Sequence, residues 1–178
     1  MKKIIAILLA LTVLFAFAAC GGAKTPTDAG TSDVDVATVI TKMYEANAVE
    51  LPVMTESVAV DLADADAVKA YTGLGSAEGI KEAYFSETTT GAQAYSLVVV
   101  SVEDEGKVEE TKKSMLDGID TRKWICVEAN SVRVASAGNV VMLIMVDKQF
   151  GETIADDMVK AFESVAGTLT GETLKLDK

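Results

Sequence analysis

Histidine is absent from this chain of 178 residues. That absence removes Ser-His-Asp and Cys-His catalysis, histidine-ligated zinc and the side chain that titrates near neutral pH. Cysteine is nearly as scarce. Cys20 and Cys126 are the two present, too few for a disulfide framework. Cys126 sits in the apolar run Trp124-Ile125-Cys126-Val127 and reads as a buried filler rather than a nucleophile. Aromatic residues make up only 6%, few for a surface that stacks sugars. Basic residues are outnumbered 16 to 27, for a net charge of −11. Such a balance argues against nucleic acid and against holding anionic lipid through a basic patch.

What the chain does have begins at its start. Lys2 and Lys3 precede an apolar run, Ile4 to Ala19, interrupted only by Thr12. The run is shorter than the roughly 18–20 residues of a spanning helix. Its charged start and small-residue exit (Ala16, Ala18, Ala19) mark a secretory signal. Phe17-Ala18-Ala19-Cys20 resembles the lipobox of bacterial lipoproteins. The resemblance implies that Cys20 takes a diacylglyceryl group and becomes the new N-terminus, fixing the protein to the extracytoplasmic face of the cell membrane. Two acyl chains suffice for stable anchoring where one does not. Loss of Lys2 and Lys3 makes the working chain more acidic by two charges, and Cys126 is left without a disulfide partner. The expected organisation is a signal peptide over 1–19, a lipidated flexible tether over 20–32, one α+β domain over 33–168 and a C-terminal tail over 169–178. The tether is all Cys, Gly, Ala, Lys, Thr, Pro, Asp and Ser, a composition that packs no core.

Within the domain, hydrophobic period selects the elements. Val36, Val39, Ile40, Met43 and Tyr44 fall on one helical stripe, capped by Asp33 or Asp35. Ser57–Leu62 is ambiguous. A short helix starts at Asp64 or Asp66 and ends at Gly73 and Gly75. Ile80–Thr88 and Ala94–Val102 form a hairpin. Glu103 to about Thr121 reads as a helix with acidic residues at its start and Arg122 and Lys123 just past its end, an outward Glu109–Lys113 pair, and a weak spot of about 1 kcal/mol at Gly118. Ser131–Ala135 and Val140–Val146 form a second hairpin. Ile154, Ala155, Met158, Phe162 and Val165 line a final helix. After the N-terminal helices the order is ββαββα. The doubly apolar second and fourth strands belong in the centre. The expectation is a four-stranded antiparallel sheet, order 1-2-4-3, with the two later helices across one face. An uncovered sheet face would expose Tyr95, Leu97 and Val99, or the opposite set, and mark a partner site.

Motifs that could carry chemistry are weak. Asp61, Asp64 and Asp66 lack the glycine and glutamate of a calcium loop and read as a solvated helix start. Gly73 to Gly79 lacks the strand, helix and Gly-Lys-Ser of a phosphate loop. Ser86 to Thr90 is hydroxyl-rich without a base. No cofactor or metal is implied. Trp124, the lone tryptophan, reads as core packing or as a contact anchor; Trp124 and Tyr95 are the candidate partner contacts.

The helix ending in Tyr44, then Glu50-Leu51-Pro52-Val53-Met54, Tyr71-Thr72-Gly73-Leu74 and Ala94-Tyr95-Ser96-Leu97-Val98-Val99-Val100, resembles bacterial lipoproteins of the domain of unknown function family 4358 over about Val34 to Val165. In relatives Tyr71 and Gly73 form a direct Tyr-Gly step, which Thr72 interrupts here. The resemblance implies a Gram-positive cell and a non-enzymatic lipoprotein, and transfers no functional residue. The sequence favours a non-enzymatic binding or structural module of the cell envelope with a protein partner. The alternative is a small-ligand-binding accessory lipoprotein, and a carboxylate-dependent hydrolase comes third.

Overall fold

Val36, Val39, Ile40, Met43 and Tyr44, the apolar stripe of helix α1 (Val36–Ala46), are all buried. Their counterpart is helix α4 (Ile154–Ala166), which buries Ala155, Met158, Ala161 and Phe162. These two helices cover one face of the sheet; α2 (Ala65–Thr72) and α3 (Val108–Gly118) cover the other. The computed structural model describes residues 34–178. The expected signal over 1–19, the lipid-bearing Cys20 and the tether over 20–32 lie outside the described residues.

Among the described residues the sheet has six strands, not four: β1 (Val58–Ala59), β2 (Ile80–Glu87), β3 (Tyr95–Val102), β4 (Ser131–Ala137), β5 (Val140–Val146) and β6 (Leu174–Asp177). Their order is β1-β2-β3-β5-β4-β6, and all neighbours are antiparallel. The four expected strands form the inner block, with one strand added at each edge. The expected polar tail over 169–178 is therefore corrected: its alternating Leu174 and Leu176 pair with β4 as an edge strand. The ambiguous Ser57–Leu62 supplies the short β1 at the opposite edge.

The placement of both later helices on one face is also corrected. Every residue of β3 and β5 is buried, so each face needs a cover. Tyr95, Leu97, Val99, Met142 and Ile144 pack toward α1 and α4. Val98, Val100, Val141, Leu143 and Met145 pack toward α2 and α3. Two buried hydrophobic layers result, one on each side of a central sheet.

Local signals explain the ends of the elements. Asp64 caps α2, its Oδ1 accepting from Asp66 N at 2.9 Å and Ala67 N at 3.1 Å. Gly73 ends the helix with φ +78, a conformation that favours glycine. The expected helix over 103–121 is shorter. A 3-10 turn, Glu105–Lys107, capped by Asp104, leads into α3, which stops at Gly118. Gly118 is no mere weak spot. A Cβ added there would lie 2.0 Å from the Gly73 carbonyl oxygen, so α3 and the end of α2 cross backbone to backbone.

Two cations are buried between elements. Lys112 on α3 is fully buried. Its Nζ donates to Glu109 Oε1 at 2.9 Å, Glu172 O at 2.6 Å and Thr170 O at 3.5 Å. It thus takes the partner expected for Lys113 and ties α3 to the segment before β6. Arg133, on the α4 face of β4, donates to Asp156 Oδ1 at 2.7 Å and Oδ2 at 3.2 Å, and to Asp177 Oδ1 at 3.0 Å. The guanidinium holds both carboxyls below their ordinary pKa.

Candidate functional site

The stretch after α3 enters neither helix nor strand. Residues 119–130 form a loop at the end of the sheet where β3 and β4 begin and β2 and β5 finish. Its apolar run divides. Trp124 and Val127 turn back onto the core cluster of the α3 face. Ile125 is 84% exposed and Cys126 stands exposed beside it with φ +66. Cys126 as a buried filler is therefore corrected: a run too short and too irregular to pair with the sheet presents its middle residues to water.

Lys123 braces this loop from below. Its Nζ donates to Ala70 O at 3.2 Å and to Ser96 Oγ at 3.2 Å, and forms a close ion pair with Glu87. Glu87 Oε1 is sealed from solvent, and the ammonium is its close neighbour. The same Nζ lies 4.9 Å from the ring centre of Tyr71 and 5.4 Å from that of Trp124, within cation–π range. Tyr71 in turn stacks on Phe85, ring centres 3.8 Å apart. Burial pulls the Lys123 pKa below its ordinary value, and the Glu87 carboxylate opposes part of that shift. A lysine beside a serine has the spacing of a base and its nucleophile, but Ser96 is fully buried. The group packs beneath Trp124. The sequence placed Lys123 at a helix end facing the dipole; the helix stops sooner, and the side chain goes inward.

Tyr95, the other candidate contact, is fully buried and offers no surface to a partner. It lies under α1, which shares this face of the sheet with α4. Its hydroxyl is 3.1 Å from Tyr44 Oη, which is 2.8 Å from Ser86 Oγ. Ser86 donates to Met54 O at 2.5 Å. With one proton per hydroxyl, the chain has a single direction: Tyr95 donates to Tyr44, and Tyr44 donates to Ser86. Burial raises the pKa of both tyrosines. Ser86, from the hydroxyl-rich run, is thereby a structural donor.

At the opposite end of the sheet a half-open cleft of about 550 Å³ lies between the Gly73–Gly79 loop, the end of β3 and α3. Leu74, Ile80 and Val102 line it with Glu78, Glu103 and Glu110. Glu110 pairs with Lys107 at 2.9 Å. The sequence read this glycine-rich stretch as a connection only; its role as a cleft wall depends on where α3 passes, which local pattern does not encode. Among the described residues, no group of His, Cys, Asp and Glu is arranged to hold a metal ion. Asp61 and Asp64, from the acidic cluster, accept backbone N–H groups in a turn and a helix cap. No helix of the described residues is long and apolar enough to cross a membrane. No family model, curated protein or solved structure matches this chain.

Proposed function

We propose that this chain is a membrane-anchored extracytoplasmic lipoprotein, a non-enzymatic binding or structural module of the cell envelope that meets a protein partner through the loop 119–130. The observation that carries the partner site is Ile125, 84% exposed, beside a half-buried Trp124 on a braced loop. A fixed aromatic next to an accessible aliphatic is the make-up of an interface anchor. The likeness to family 4358 rests on the sequence segments alone and belongs to the same proposal.

A photo-crosslinking residue at position 125, used in native membranes, tests the reading. One discrete adduct is expected, lost when Trp124→Ala is added. Cys20→Ala should move the protein out of the membrane fraction. A Cys20→Ala protein still in the membrane pellet would remove the anchor, and an adduct indifferent to Trp124→Ala would remove the partner site.

The cleft favours a second reading, a small-ligand-binding accessory lipoprotein. Its volume exceeds the roughly 300 Å³ lower limit of ligand pockets. Saturable binding of a small molecule that is weakened by Glu110→Gln and unaffected by Trp124→Ala would prefer that reading.

A further inference from the structure

Pairing with β4 fixes which backbone groups of β6 are in use. Lys178 N donates to Asn130 O at 2.9 Å, and the register sets Leu176 opposite Val132 and Leu174 opposite Val134. Hydrogen-bonded pairs alternate along an antiparallel ladder. Leu174, Leu176 and Lys178 therefore direct their N–H and C=O groups to β4, while Lys175 and Asp177 direct theirs away from the sheet. Residues 175–177 are all exposed, and Leu176 is one of the few exposed large hydrophobics among the described residues.

We infer that this edge takes a second copy of the same chain, antiparallel and centred on Leu176, which joins two sheets into one. In that register Lys175 lies opposite the second copy's Asp177, and Asp177 opposite its Lys175. Both are residues whose backbone groups point outward, so each pair exchanges two hydrogen bonds. The two Leu176 residues form the central non-hydrogen-bonded pair, where side chains come closest, on the α3 face of the joined sheet.

Charge selects the register. Shifting the centre to Lys175 sets lysine against lysine; shifting it to Asp177 sets aspartate against aspartate. Like charges directly opposite are unfavourable and opposite charges favourable, by about 0.2–1 kcal/mol per pair. An edge lysine ordinarily discourages strand addition; here it discourages the wrong registers and meets a carboxylate in the right one. Lys175 already lies 3.5 Å from Asp156, and Asp177 lies 3.0 Å from Arg133 and 3.3 Å from Lys148. The Lys175 and Asp177 side chains nonetheless stay 55% and 42% exposed, with a side free for the second copy. The contact is short, below the roughly 1,200 Å² of standard interfaces, so the dimer is weak and reversible.

Disulfide trapping tests this. The full chain carrying Cys20→Ala and Cys126→Ser has no thiol. Leu176→Cys in that background should give a covalent dimer on mild oxidation, with at least about tenfold more product than Thr173→Cys, whose two copies in this register lie six residue positions apart along the seam, roughly 20 Å. Adding Lys175→Pro removes an outward donor while leaving the inward ladder intact and should abolish the product. Lys175→Glu, which faces the second copy's Asp177 with a like charge, should do the same and serves where the proline variant melts early. Equal trapping at positions 173 and 176, trapping unaffected by Lys175→Glu, or no dimer at all would overturn the inference.

Discussion

Gly118→Ala sets two physical effects against each other. By helix propensity alone the change would stabilise α3 by up to about 1 kcal/mol. The crossing of α2 and α3 demands the opposite sign. The new methyl would sit 2.0 Å from Gly73 O and 3.1 Å from Gly73 C, whereas a carbon and a carbonyl oxygen settle at about 3.3 Å or more. Relief requires the helices to part by roughly 1.3 Å against backbone, not against a flexible side-chain tip. That shift also disturbs Gly73 N–H to Lys69 O, which closes α2, and Lys69 Nζ to Gly73 O at 3.3 Å. Overpacking of this kind costs about 1–3 kcal/mol. The net expectation is a loss of about 1–2 kcal/mol after the propensity gain. Urea unfolding followed by Trp124 fluorescence would show a lower midpoint at unchanged slope, and heating a fall of about 2–4 °C per kcal/mol. Gly75→Ala is the control: nothing lies within 4 Å of its added Cβ, so it should be neutral or stabilise by about 0.4–1 kcal/mol. A Gly118→Ala protein as stable as the control would refute the close crossing.

Further predictions rest on buried polar groups and the core. Tyr95→Phe should cost about 0.5–1.5 kcal/mol. Tyr44→Phe should cost more, because it strands the Tyr95 hydroxyl; the reverse ranking in urea melts would contradict the proposed direction of donation. Arg133→Met should lower stability at neutral pH and flatten the acid limb. Asp156 and Asp177 have folded pKa values below the unfolded 3.8, so their contribution is present above that value and is lost as pH falls through the folded values. Parallel curves of melting temperature against pH for Arg133→Met and wild type would disprove this. Met158→Asp should prevent folding by burying a charge in the α1–α4 layer, and an unchanged melting temperature would dismiss the assignment of α4.

Periodicity in the sequence located the inner strands and α1, α2 and α4, because each has a full stripe or a doubly apolar run. The faces were harder. β3 and β4 point one way, β5 and β6 the other, and both crossovers move toward the β6 edge. Crossovers of one hand between strands of opposite direction must pass over opposite faces, and right-handedness is nearly universal. With Leu174–Asp177 read as a tail, the second crossover could not be seen, and the helices fell on one side. The candidate site was half legible. Trp124 stood out by its isolation, and the structure half-buries it against the α3-face core, but Tyr95 sits in a strand whose two faces looked alike. Lys123 was masked by a helix assumed to run to Thr121. Only a knowledge of where α3 stops, at its backbone crossing with Gly73, frees that lysine to turn inward.

A last edge strand is where a protein is expected to fray, with amide exchange near the solvent rate. Lys112 changes that expectation for β6. Opening the strand drags Thr170 and Glu172 from a buried ammonium, and hydrogen bonds to a charged group are each worth about 1.5–3 kcal/mol. The amides of Leu174, Leu176 and Lys178 should therefore exchange together with those of α3, as one cooperative unit. Neutralising that single amine, by acetylation or Lys112→Met, would uncouple the two and turn the strand into a loose end while α3 holds.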